Sequence, residues 1–198
     1  MVLAYHGIFT AYGFWLPNDP RGSWSDFVGA WELVRFGRAT KVDTHRSLAC
    51  KPHDRALRLA AKEALKYPPV LFNGRQALSV ANGIAAACAE AGYVLYACSL
   101  LPDHAHIVLE RHDRTAEQVM GHLKAKATMR LREDGLHPLA AYADANGTIP
   151  TPWAKRSWKV FLDRPEAVRR AIRYVAENPL KEGKPVQAWS FVTPYAGM

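Results

Sequence analysis

Apolar and polar positions along the chain change period several times, and the changes mark out its elements. Residues 2–10, VLAYHGIFT, are β-branched, aromatic and short, which predicts a first strand. LPNDPRGSW follows, dense in turn residues, and opens an irregular insertion over about 16–50. A loop of that length in a small domain predicts a short helix near 30–36 or a binding role. Residues 53–66 and 75–91 are rich in Ala, Leu and Lys and predict helices, punctuated by Tyr67-Pro68-Pro69 and Asn73-Gly74. YVLYACSL (93–100) and HAHIVLE (104–110) predict two strands joined by the turn Leu101-Pro102-Asp103.

A helix of about 115–134 comes next, with Thr115 and Gln118 as a capping box and Gly135 as its stop. Residues 135–157 are rich in Gly, Pro and Ala and read as a linker, and SWKVFL (157–162) as a fourth strand. Asp163 and Glu166 repeat the capping-box pattern with Pro165 in the first turn, and this last helix is expected to stop at Asn178-Pro179. The tail beyond it predicts no element. The succession predicts an α+β, ferredoxin-like fold over 1–198 as a single domain. Its antiparallel sheet carries helices on one face and the C-terminal helix on the other.

Composition narrows the class. At 198 residues and 49% hydrophobic, the chain is long and apolar enough for one packed core, which excludes wholesale disorder. No apolar run reaches the roughly 20 residues of a membrane span. The opening MVLAYHGIFTAYGFW has neither a basic leader nor a small-residue cleavage site, so no signal peptide is expected. Cys50, Cys88 and Cys98 are odd in number and lack CxxC spacing, against a disulfide scaffold or zinc ribbon. A reducing cytoplasm is the expected location.

Charge is more telling. The net is +8, yet residues 111–132 carry +4 and residues 153–173 carry +5, which leaves −1 for everything else. Two short segments hold the whole surplus, as a localised polyanion-binding surface would. Solvated basic helix faces with no partner would have the same charge.

His104 and His106 are two apart on a strand, so both imidazoles point to one face, while Ala105, Ile107 and Leu109 face the other way. Side chains about 7 Å apart along a strand can converge on one metal ion. Two partly buried histidines bonded to backbone groups would give the same pattern. His6, His45, His53, His112, His122 and His137 have no spacing that demands chemistry.

On the last helix, with Val168 at 0°, Val168, Ala171, Ile172, Val175 and Ala176 span about −60° to +80° and Tyr174 lies near 240°. Tyr174 is thus expected roughly opposite the apolar stripe, where a core tyrosine would not be. Arg170 at i−4 and Asn178 at i+4 share its row: a cation for phosphate, a phenol nucleophile and a carboxamide for a metal. A surface tyrosine, a helix terminator and a solvated charge would also make this row.

LPDHAHIVLE (101–110) resembles the signature of the HUH nucleases, His-hydrophobic-His on a central strand, and its Pro-Asp is similar to the Pro-Asn that single-tyrosine members place before it. YVAENPLKEG (174–183), followed by Trp189-Ser190, resembles the Tyr-x-x-x-Asn-Pro-(Val/Leu)-Lys-x-Gly segment of the single-tyrosine HUH transposases, particularly those associated with repetitive extragenic palindromes. TAYGFWLPNDPRGSW is also similar to a subgroup of these proteins, less specifically. The resemblance is good from the histidine strand onward and loose over the first 90 residues.

The resemblance implies Tyr174 as nucleophile and His104, His106 and Asn178 as ligands of a divalent metal. The implied reaction cleaves and rejoins single-stranded DNA through a 5′-phosphotyrosine, with hairpin DNA as the target. Two imidazoles alone suit Mn²⁺ or Zn²⁺ better than Mg²⁺; the resemblance implies Mg²⁺ or Mn²⁺. On that reading Arg170, Lys124, Lys126, Arg130, Arg132, Lys155, Arg156 and Lys159 would track the DNA backbone, with a salt slope of about −4 for six phosphates. Trp153 could stack on an unpaired base, whereas Trp158 is expected in the core. A non-cleaving hairpin-binding relative and an unrelated metal-dependent hydrolase are the rival readings. Both a monomer and a homodimer are compatible with the sequence.

Overall fold

Alternation in the four strand segments builds one antiparallel sheet. The computed structural model describes residues 1–14, 16, 17, 19, 31–37 and 54–197, so most of the 16–50 insertion lies outside the described residues, as do Cys50, His45 and His53. In chain order the elements are β1 (Ala4–Ala11), α1 (Trp31–Val34), α2 (Arg55–Glu63), α3 (Gly74–Ala91), β2 (Leu95–Leu100), β3 (His104–Glu110), α4 (Ala116–Glu133), β4 (Trp153–Leu162) and α5 (Pro165–Lys181). A 3₁₀ turn, Ala140–Tyr142, precedes β4. The short helix expected near 30–36 is α1.

The strand order is β2-β3-β1-β4, with every neighbouring pair antiparallel. Two β-α-β halves interleaved in this order give the expected ferredoxin-like α+β arrangement. Phe9, Ala105, Ile107 and Leu109 face α3 and α4 and form the main core with Val80, Ile84, Ala87, Val119, Met120 and Leu123. Ala4, Ala97, Val108 and Leu162 face the other way and pack on Val168, Ala171 and Val175 of α5. The helices therefore divide between the two faces as the sequence predicts, and β3 alternates as read.

Caps explain where the helices begin. Asn73 and Gln76 form a capping box on α3, and Thr115 and Gln118 the expected one on α4. Gly135 follows α4 at φ 66°, a left-handed position that suits glycine. Three expectations are corrected. The Asp163–Glu166 box does not form: Arg164 is the N-cap, without a side-chain bond, and Pro165 opens the helix with the right φ already set. α5 also passes Asn178-Pro179 and ends at Lys181. Pro179 lies only two residues from that end and is buried, so it forfeits one ladder bond while its ring packs. Finally β4 begins at Trp153, four residues before the expected strand, because its start pairs with Ala11 across a bulge in the β1–β4 register.

The tail is not idle. The Gln187 carboxamide bonds both the N–H and the C=O of Leu100, and Thr193 N–H donates to Leu95 C=O. It thus caps the outer edge of β2, which would otherwise expose an open ladder.

Candidate functional site

Register alone assembles a polar patch beneath α5. His106 pairs with Ser99 on β2 and Ile8 on β1, and His104 pairs with Thr10. Residues paired directly across antiparallel strands share a face, so Ser99, His104, His106 and Thr10 all point towards α5. His6 has the same parity on β1 and joins them: its Nε2 is 2.9 Å from His106 Nδ1. Thr10, Ser99 and His106 are buried, yet Thr10 Oγ1 and Ser99 Oγ have no hydrogen-bond partner among the described residues. Buried hydroxyls left so call for a water, an ion or a substrate atom.

Each histidine of the pair has its Nδ1 engaged. His104 Nδ1–H donates to the Asp103 carboxylate at 2.8 Å, the direction being fixed because a carboxylate only accepts. His106 Nδ1 shares one proton with His6 Nε2. Burial lowers the pKa of His6 to about 4 and that of His106 well below the ordinary value, the latter helped by His104, His6 and Lys181. His6 and His106 are therefore neutral near pH 7.

α5 brings Tyr174 over this patch. Its ring lies 5.6 Å from both His6 and His106, edge-on at 61° and 73°. Lys181, about two turns on, sets its ammonium 4.3 Å from the phenol ring centre. Burial and the nearby Glu182 raise the phenol above the ordinary tyrosine value, although the side chain is 42% exposed. The position of Tyr174 corrects the helical projection. Val168, Ala171, Val175, Asn178 and Pro179 are the buried residues of α5, while Ala176 is exposed. The buried stripe is rotated towards the tyrosine, which stands at its margin rather than opposite it.

Asn178 is buried at 7%, and its Nδ2 has no hydrogen-bond partner among the described residues. Arg170, one turn before Tyr174, is exposed. Among the described residues no three His, Cys, Asp or Glu side chains group so as to hold a metal by themselves. Two histidines on one strand face, each with Nδ1 committed, are nonetheless a fitting pair of donors for a divalent ion completed by substrate oxygens, and Asn178 would join them through its carboxamide oxygen, not its unmatched amide nitrogen.

The remaining expected residues lie elsewhere. Trp153 is only 3% exposed, flanked by Phe9 and Phe72, with Nε1–H donating to Lys124 C=O and Thr128 Oγ1. It is a core residue, and a base cannot stack on it, contrary to expectation. Lys124 is corrected too: its ammonium donates to Ala154 C=O at 2.8 Å, and burial lowers its pKa to about 8. Lys126 pairs with Glu90, Lys159 with Glu117, Arg130 with Asp134 at 2.9 Å, and Arg132 donates to Ile149 C=O. Lys155 and Arg156 are exposed on β4. The α4 cations and Lys159 belong to the layer across the sheet from Tyr174, so that share of the charge does not converge with the histidine patch, whereas Arg170 and Lys181 stand on the tyrosine helix itself.

His6, Asp103 and Lys181 escaped the sequence reading as site residues. Two of them stand inside the quoted motifs; His6 had no signal except its strand parity. Among the described residues no helix is long and apolar enough to cross a membrane.

Comparison with solved structures finds similarity to a REP-associated tyrosine transposase bound to a REP hairpin, at 19% identity and a TM-score of 0.40. The match covers 58% of this chain and 64% of that one, so it spans less than two thirds of that protein. No protein-family model and no curated protein matches the chain.

Proposed function

We propose that the protein is a single-strand DNA transferase in which Tyr174 is the nucleophile, acting on hairpin DNA with a divalent metal held by His104, His106 and Asn178. One observation carries the reading: the Tyr174 phenol stands over His6 and His106, on an element 68 positions later in the chain. A tyrosine beside paired imidazoles, with unmatched buried hydroxyls around them, supports a covalent step in which the phenol attacks phosphorus.

Tyr174 Oη forms a bond to the 5′-side phosphorus, and the P–O3′ bond breaks. The freed 3′-oxygen takes a proton, and the phenol loses one. Mg²⁺ or Mn²⁺ at the ligands would polarise the phosphate and offset its developing charge. Lys181 keeps a cation over the phenol ring, which favours the negative charge that develops on the phenol as it loses its proton. Arg170, one turn away and exposed, would engage a neighbouring phosphate. An incoming 3′-hydroxyl reverses the step, so no external energy source enters.

The test is incubation with labelled hairpin oligonucleotides and Mn²⁺ or Mg²⁺, followed by a denaturing gel, with Tyr174→Phe and His104→Ala alongside. A covalent adduct from the wild type alone supports the reading. Salt-sensitive binding without an adduct supports a non-cleaving hairpin binder instead. Metal-dependent cutting that persists in Tyr174→Phe overturns the covalent mechanism.

A further inference from the structure

His6 belongs to neither motif, yet it touches both halves of the site. Its ring is 5.2 Å from His106 and 5.6 Å from Tyr174, on the strand that pairs with β3. We infer that His6 is a positioning residue: its Nε2 accepts the Nδ1–H of His106 and so keeps the Nε2 of His106 unprotonated.

The hydrogen bond of 2.9 Å holds one proton, so one ring donates and the other accepts. If His6 donated, Nε2 of His106 would carry its own proton and have no lone pair to offer. The neighbouring histidine fixes the pattern. Asp103 takes the Nδ1–H of His104 at 2.8 Å, so in the neutral ring it is Nε2 that carries the lone pair. Two imidazoles on one strand face, each with Nδ1 bound to a fixed partner, present like nitrogens. A partner on the second nitrogen is the usual way a protein selects the tautomer and the ring orientation of a ligating histidine. For His104 that partner is a carboxylate; for His106 it is a second imidazole. β1 is a central strand, hydrogen-bonded to both β3 and β4, so it holds His6 in register with little freedom.

The use of that bare nitrogen rests on the metal reading above, but the tautomer does not, and the two can fail separately. The measurement is a long-range ¹H–¹⁵N correlation of the histidine rings in metal-free protein at pH 7.5, on wild type, His6→Gln and His6→Leu. The expected wild-type spectrum has His106 protonated at Nδ1. His6→Gln keeps that state, because its carboxamide oxygen accepts the same proton, and His6→Leu shifts it to Nε2–H. Mn²⁺ affinity, read by electron paramagnetic resonance, is expected to fall about 10–100-fold in His6→Leu. His6→Gln should recover most of that loss.

A wild-type His106 protonated at Nε2 overturns the inference whatever the metal does. So does an unchanged tautomer and Mn²⁺ affinity in His6→Leu. Absence of Mn²⁺ binding by wild type removes the metal reading alone, and the tautomer still decides the role of His6. If His6→Leu does not fold, the wild-type spectrum and the His6→Gln pair carry the test.

Discussion

The phenol of Tyr174 on α5 lies 5.6 Å from the imidazole of His106 on β3, their planes at 73°. Nothing local brings them together. The contact exists because α5 packs its Val168–Ala171–Val175 stripe on the sheet face that also carries the even positions of β1 and β3. A phenol held there is partly desolvated and faces neutral imidazoles, and its ionisation becomes the step most open to test.

Burial and Glu182 both raise the Tyr174 phenol, so the phenolate is scarce at pH 7. If Tyr174 is the nucleophile proposed, cleavage should therefore accelerate with pH through the neutral and mildly alkaline range. Glu182→Gln removes one of the two causes and should move the alkaline limb to lower pH, with a faster rate at pH 7.5. Adduct formation under single-turnover conditions between pH 6.5 and 9.5 checks this. A Glu182→Gln profile superimposed on wild type would refute the assignment.

Acid should destabilise the fold well above the carboxylate range. His6 titrates near 4 in the folded chain against 6.5 as a free group, and burial lowers His137 to about 4 as well. Between these values the unfolded chain binds more protons, so stability falls as pH drops from about 6.5 towards 4. For His6 alone the difference is worth roughly 3 kcal/mol. Thermal unfolding between pH 7.5 and 4.5 should show a steep loss in wild type and a shallower one in His6→Leu.

Two glycines in helices should respond oppositely to alanine. A Cβ on Gly83 of α3 would lie 2.5 Å from the Ala127 Cα and 2.7 Å from the Lys126 carbonyl oxygen of α4. Backbone cannot step aside there, so the helix pair must part, and Gly83→Ala should cost about 1–3 kcal/mol despite the better helix propensity. Gly121 in α4 has open space at the same position. Gly121→Ala should stabilise by about 0.4–1 kcal/mol. Urea midpoints of the two variants decide it, and a stabilised Gly83→Ala would contradict the helix packing described.

Trp153 and Arg170 should separate stability from nucleic-acid binding. Trp153→Phe removes two hydrogen bonds inside the core and should cost about 1–3 kcal/mol, with oligonucleotide affinity unchanged. Arg170→Ala on the exposed face of α5 should leave stability alone and weaken binding. The slope of log affinity against log salt would fall by about 0.7 for one lost phosphate contact. Fluorescence anisotropy at several salt concentrations reads both.

Much of this was legible in the chain because it depends on local rules. Alternation over 104–110 fixed which face His104 and His106 share, and helical spacing grouped Arg170, Tyr174 and Asn178 on one side of α5. The Thr115–Gln118 box placed the start of α4, since both halves of a capping box are four residues of one segment. The Asp163–Glu166 pattern read equally well and did not form, because Pro165 already sets the first turn.

What the sequence could not contain was the order of strands. His6 and His106 are partners only because β1 lies beside β3 in register, a pairing across 100 residues that no periodicity encodes. Charge misled for the same reason. The cations of α4 are dense in sequence, yet the right-handed return of the chain puts that helix across the sheet from Tyr174 and beside Glu90 and Ala154. Sequence determined which residues point together on one strand or helix, where a fixed rise and turn govern. Tertiary structure alone decided which of those faces meet, because that depends on the burial of surfaces far apart in the chain.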